Sequence, residues 1–304
     1  MSKSVILKSS IAKKYWMAFT GLFLCLFLVG HLLGNLQLFY AGEEGRRAFN
    51  EYAYFMQHNL LIKVMSYVTY LSILFHAIDG LLLAFQNKKA RPVQYAMNKA
   101  SANSSSASRQ MALLGSIILI FIATHMVNFW GKMHFGEIPL HTLTKAVNVP
   151  ISQDPNTGQI VKADIEFSYF LTTNGEYKQY AYKDPKTKLF ESQMEVREET
   201  KLFDKNSNLE VAEGYKDLHS VVMGFFGKSA NGNDVNELAW LAVLLYTISM
   251  AVLSFHLMHG FASAFQTLGL RHPRYTAIIK NVGMGFAIIV PAAFAAIPLY
   301  IFFK

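Results

Sequence analysis

The chain has 304 residues, of which 52% are hydrophobic and 16% charged, whereas soluble domains carry about 25% charged residues. Residues 132–236 hold 27 of its 48 Lys, Arg, Asp and Glu residues. Uncharged blocks therefore alternate with a polar insert, which excludes a single water-soluble globule, and the 14% aromatic content excludes a disordered chain. The formal charge of +8 comes from basic residues gathered beside apolar runs. That is the pattern of cytoplasmic loops in a membrane protein, and nucleic acid is not an expected partner.

Five runs predict membrane-spanning helices: 17–40, 64–85, 111–131, 238–270 and 281–303. Each is long enough to cross about 30 Å of hydrocarbon, and none has the alternation of a barrel strand. Asp79 is the only Asp, Glu, Lys or Arg among them. Lys3, Lys8, Lys13 and Lys14 precede the first run, which is too long for a signal-peptide core and reads as a retained helix. Cys25 lies inside it. One thiol cannot build an internal disulfide, a four-cysteine cluster or a covalent haem attachment, so it reads as a small core residue.

The first connection sets Arg46, Arg47 and Lys63 against Glu43, Glu44 and Glu51, and interleaves Glu51 and His58 with Tyr52, Tyr54 and Phe55 as an interfacial aromatic segment. The second carries Lys88, Lys89, Arg91, Lys99 and Arg109, with a Ser-rich linker at 101–108. In the third, 132–236, turn signals at 154–158 and at Asn174-Gly175 predict a hairpin of 167–172 with 177–182. Residues 214–227 predict a short amphipathic helix at the outer surface. This insert reads as a structural cap. The fourth connection holds Arg271, Arg274 and Lys280, and only Lys304 follows the fifth run.

The bias of Lys and Arg places the N-terminus in the cytoplasm and the C-terminus outside; a bacterial inner membrane with a periplasmic C-terminus is the expected setting. The expected organisation is three spans in 1–131, an extracytoplasmic insert at 132–236 and two spans in 237–304. The fold class is an all-α bundle of five membrane helices with a hairpin-containing insert.

His31, His76, His125 and His256 each sit inside a different run. Ionisable groups in a membrane are costly and mark a ligand site or pathway. His31 and His125 lie 14 residues from the cytoplasmic starts of their runs, about 21 Å deep at 1.5 Å per residue. His76 lies nine residues before Phe85 and His256 ten before Gln266, where the cytoplasmic ends are expected, nearer 14 Å. The pairing is therefore His31 with His125 and His76 with His256. Two imidazoles at one depth can hold a haem iron from both sides, and two such haems make an electron path across a bilayer. His259 is an alternative to His256, since three residues turn a helix by only about 60°. His58, His134, His141, His219 and His272 read as surface or interfacial residues. Asp79, one turn from His76, is a second ionisable group at that level.

These residues also carry a resemblance. The stretch 21–31 (GLFLCLFLVGH), Phe75-His76-Ala77, Ala123-Thr124-His125 and 255–269 (FHLMHGFASAFQTLG) resemble the cytochrome b membrane anchor of succinate dehydrogenase/fumarate reductase, in its five-helix, two-haem class. The resemblance covers 1–131 and 214–304. It implies non-covalent haem b at His31/His125 and His76/His256, and prefers His256 over His259 because Gly260 and Gly269 follow it at the family's spacing. It implies flavoprotein and iron–sulfur partners on the cytoplasmic face, with succinate oxidised on the partner, as in the tricarboxylic acid cycle. It also implies transfer of electrons to a membrane quinone, with menaquinone expected. Glu51 is the expected group for quinone protonation. The insert at 132–213 departs from the family. The alternatives are the anchor of another membrane dehydrogenase and a proton-coupled transporter without haem.

Overall fold

The computed structural model describes residues 9–90, 102, 104–153, 158–184, 187–227 and 235–304. Lys3, Lys8, Arg91 and Lys99, and part of the 101–108 linker, lie outside the described residues. Five helices are long and apolar enough to cross a membrane: Ser10–Phe39, Leu60–Lys89, Met111–Phe135, Ala239–Thr267 and Pro273–Phe303. In chain order the helices are α1 (Ser10–Asn35), α2 (Gly42–His58), α3 (Leu60–Lys89), α4 (Ser106–Arg109), α5 (Met111–His125), α6 (Lys132–Phe135), α7 (Leu218–Phe225), α8 (Ala239–Thr267) and α9 (Pro273–Phe303). A 3-10 turn extends α1 to Phe39, and a π-helical turn, Met126–Gly131, joins α5 to α6.

Their ends follow local chemistry. The Asn59 side chain accepts from the Ile62 amide at the start of α3, and Lys88 and Lys89 close it where the carbonyl dipoles favour positive charge. Pro273 sits in the first turn of α9, where it removes no intrahelical bond. Part of the expected Ser-rich linker is instead the single helical turn α4, capped by Ser105.

The spanning helices have the inverse of a soluble pattern. Leu26, Leu60, Ile120 and Ile289 are each more than 60% exposed. Continuous apolar surface of this kind would be costly in water and is covered when hydrocarbon is the solvent. The chain is a multi-pass membrane protein by this criterion.

Packing defines the bundle. Helix α1 contacts α3, α3 contacts α5, α5 contacts α8 and α8 contacts α1, closing a ring of four. Helix α9 lies outside it, packed most extensively on α8 and also on α1.

The first connection and the insert are more structured than expected. The connection is the 17-residue helix α2. The expected hairpin is present, with β2 (Ile160–Leu171) paired to β3 (Tyr177–Lys183) and Gly175 at φ +81° in its turn, a conformation costly for side-chain-bearing residues. It is the middle of an antiparallel sheet ordered β1-β2-β3-β4, with β1 at Thr142–Gln153 and β4 at Phe190–Ser192. A second sheet joins β5 (Met194–Arg197), β6 (Lys201–Asp204) and β7 (Glu210–Glu213). The short pairings missed their sequence signal because strands of three or four residues have too few positions to alternate. Residues 154–157 of the other expected turn lie outside the described residues.

Helix α7 also differs from expectation. Its residues Val222 and Gly224 are buried, and Val222 packs in one core with Leu38, Phe49, Phe226, Val243, Ile297 and Ile301. It therefore wedges between α2 and the insert-side ends of α1, α8 and α9 rather than lying on the surface.

Candidate functional site

The four histidines converge because the ring places their helices corner to corner. His31 on α1 and His125 on α5 are diagonal across it, as are His76 on α3 and His256 on α8. The His31 and His125 ring centroids are 5.9 Å apart, and those of His76 and His256 are 6.2 Å apart. The structure thus brings together the two pairs expected from depth. His259 makes no ring contact with another histidine among the described residues.

Three helices measure the distance between the pairs. On α1, His76 touches Thr20 and Gly21, ten or eleven residues before His31. On α5, Gly115 approaches His256 ten residues before His125. On α8, Tyr246 lies 3.5 Å from His125 Nδ1, ten residues before His256. Each interval is about 15 Å along the bundle axis at 1.5 Å per residue.

Each ring has a defined setting. Thr20 Oγ1 donates to the Trp16 carbonyl at 3.0 Å and lies 3.2 Å from His76 Nδ1. With the hydroxyl proton turned to the backbone, Nδ1–H donates to Thr20, leaving His76 Nε2 with a free lone pair. A Cβ at Gly21 would sit 3.1 Å from His76 Cε1, so only glycine leaves the ring its full space. His256 Nδ1 is buried without a hydrogen-bond partner. Phe27 and Phe294 flank His31 at 5.4 and 5.6 Å, and Phe121 and Phe129 flank His125 at 5.7 and 5.3 Å. The π-helical turn that begins at Met126 follows His125 directly and supplies Phe129.

An imidazole nitrogen binds a first-row metal at about 2.0–2.1 Å, and the ring centre lies about 1.1 Å behind it, so two rings facing one ion have centres about 6.3 Å apart. Both observed separations fit that geometry. No group of three or more His, Cys, Asp or Glu that could hold a metal is present among the described residues.

The other sequence candidates lie apart. Asp79 is half-buried on α3, one turn from His76. Glu51 is on α2, where its carboxylate accepts from Arg47 Nε at 2.7 Å, while Arg47 Nη2 donates to the Gly175 carbonyl at 3.0 Å. The structure does not bring it into contact with the histidines. His58, His134 and His272 are exposed as expected. His141 and His219 are not surface residues: they are 0% and 7% exposed.

Both belong to a buried polar network that sequence reasoning missed. Arg46 donates to Asp217 Oδ2 from Nη2 at 2.5 Å and from Nε at 3.0 Å, and to the Thr142 carbonyl at 2.7 Å. Asn50 Oδ1 accepts from the His219 amide, so Asn50 Nδ2 is the donor to Asp217 Oδ1 and to His141 Nδ1. His141 Nδ1 is then an acceptor, and its Nε2–H donates to Glu43 Oε1 at 2.5 Å. The tautomer is set by the backbone of α7. Residues from α2, the start of β1 and the cap of α7 are tied together across separations of 96 to 171 positions in sequence.

Acid should loosen this network. Burial alone would raise the Asp217 and Glu43 carboxyls. For Asp217, hydrogen bonds and charge from Arg46, with bonds from Ser220 and Asn50, win and hold it below its ordinary value. For Glu43, bonds from His141 and Tyr177, with charge from His141 and Arg46, do the same. Burial pushes His219 from 6.5 down to about 4. All three bind protons more readily when unfolded, so their stabilisation is complete above pH 6.5 and is lost as pH falls, first through His219 and then below about 4.5 through the carboxyls. Scanning calorimetry of the purified protein should show an insert transition that moves to lower temperature between about pH 7.5 and pH 5. A transition independent of pH over that range would contradict the buried neutral state of His219.

No family model, curated protein or solved structure matches this chain.

Proposed function

We propose that the chain is a dihaem cytochrome b membrane anchor that passes electrons between an iron–sulfur subunit of a succinate dehydrogenase or fumarate reductase and a membrane quinone. The observation that carries this reading is the stacking of two diagonal imidazole pairs, at 5.9 and 6.2 Å, about 15 Å apart along one bundle. Two imidazoles facing one another inside an apolar bundle are a donor set that would suit haem iron. When bound, each haem iron supplies reversible one-electron chemistry.

The chain's own residues do the rest. His31 and His125 hold the outer group, and His76 and His256 the inner. Thr20 orients His76, and the phenylalanines around the outer pair keep water away, which sets the local dielectric. The N-terminal segment, the second connection and the fourth connection hold 12 Lys and Arg and no Asp or Glu. Alternating spans put these three at one end, which on this reading is the cytoplasmic docking face for flavoprotein and iron–sulfur partners. Quinone then reacts near the outer pair, and Glu51 on α2 is assigned its proton exchange. Quinone-linked turnover of Glu51→Gln at the wild-type rate, with both haems intact, removes that assignment.

The deciding experiment is the reduced-minus-oxidised optical spectrum of the purified protein with a haem count. Two haems b per chain are expected. Absence of haem after expression with adequate haem supply leaves the transporter reading, and haem with co-purifying subunits of other chemistry leaves the anchor of another dehydrogenase.

A further inference from the structure

The turn between α8 and α9 borders an open pocket of about 550 Å³ lined by both apolar and polar side chains. Phe265, Leu270 and Ile278 line its apolar side, and Arg271, His272 and Tyr275 its polar side. We propose that this pocket binds an anionic phospholipid, with the phosphate at Arg271, the first acyl methylenes against Leu270 and Ile278, and Arg274, outside the lining but in the same turn, adding positive charge.

Charge points to the anion. Arg271, Arg274 and Lys280 are the ionised residues of this connection, and no Asp or Glu occurs anywhere from 238 to 304. Neither arginine makes an ion pair among the described residues. The turn itself is rigid. His272 Nδ1 accepts from the Arg274 amide at 3.2 Å, and the Thr276 hydroxyl donates to the His272 carbonyl at 2.8 Å. The two guanidinium stems therefore leave a fixed backbone, which reduces the entropy lost on binding a phosphate.

Position points to a lipid as its source. Helix α9 stands outside the four-helix ring, so this turn is at the periphery of the bundle. Leu270, Tyr275 and Ile278 are 55–60% exposed around the pocket. Apolar side chains descending from a basic rim into a spanning segment match the headgroup-to-chain boundary of a bilayer, where tyrosine also concentrates. A soluble partner docked at the centre of the basic end has no use for them.

The test uses the full chain in phosphatidylcholine vesicles, with spin-labelled phosphatidylglycerol or spin-labelled phosphatidylcholine as probe. The fraction of label immobilised on the protein is the readout. Wild type should prefer phosphatidylglycerol, by about fivefold for each arginine engaged. Arg271→Gln with Arg274→Gln should abolish the preference, and Arg271→Lys with Arg274→Lys should retain it. Equal immobilisation of the two lipids by wild type overturns the proposal, as does an unchanged preference in the glutamine variant. Displacement of the labelled lipid by millimolar inorganic phosphate would identify a free-anion site instead. Unchanged lipid preference with loss of co-purifying soluble subunits would assign the arginines to protein docking. Haem content is read from the same samples, so the result stands apart from the dihaem reading.

Discussion

On the proposed dihaem reading, replacing His256 by alanine is expected to lower the haem count from two to one, removing the group at His76/His256 and leaving that at His31/His125. The reasoning starts from separation: the two pairs lie about 15 Å apart along the bundle, and no side chain of one can substitute in the other. His76 and His256 approach to 6.2 Å from diagonal helices, so deleting either leaves a single imidazole, which holds a porphyrin far less firmly than two. His259→Ala should retain both haems, because His259 makes no ring contact with another histidine among the described residues, whereas His256 faces His76 at 6.2 Å. His31→Ala gives the complementary result, with the outer group lost. Optical spectra with haem counts of the three variants decide the matter. Retention of two haems in His256→Ala with loss of one in His259→Ala would move the fourth ligand. Two haems in every variant would remove the histidines from the site altogether.

Replacing Arg46 by alanine should destabilise the outer part of the protein by about 3–5 kcal/mol, the usual cost of stripping one partner from a buried ion pair. Asp217 is 1% exposed, and without Arg46 its second oxygen loses both guanidinium bonds. Restoring balance by also changing Asp217 to asparagine should recover part of the loss, because an uncharged amide is less costly to bury. Thermal unfolding followed by proteolytic cleavage within the insert measures both variants. A single variant within about 1 kcal/mol of wild type would mean that the pair is solvated in the native protein. The haem count should stay at two throughout, because the network contacts the top of the bundle and none of the four histidines.

Both effects depend on contacts at very different sequence ranges, and this governs what could be read beforehand. The five spans were legible because hydrocarbon thickness demands some twenty consecutive apolar residues, a signal that survives without any partner. The histidines were legible for a related reason: an imidazole in such a run is rare, and its depth follows from a fixed rise per residue. Depth even proposed which rings share a level. It did not say which helices are diagonal. That depends on how α1, α3, α5 and α8 close into a ring, and on small surfaces such as Gly21 against His76.

The outer region was the reverse. Helix α2 carries Glu43, Arg46, Arg47 and Glu51 beside Phe49 and Tyr52, which reads locally as a charged interfacial stretch. Arg46 and Asn50 become core residues only because Asp217, 171 and 167 positions away, arrives on the cap of α7. The same convergence buries His141 and His219, which local polarity placed at the surface. Sequence by itself determined the membrane solvent, the number of spans and the depths of four imidazoles, because those follow from length, hydropathy and helical rise along one segment. Tertiary structure alone decided which helices lie diagonal in the ring and which polar residues of the insert side are buried, because a charge or an imidazole is stable inside a protein only when a partner from elsewhere in the chain meets it.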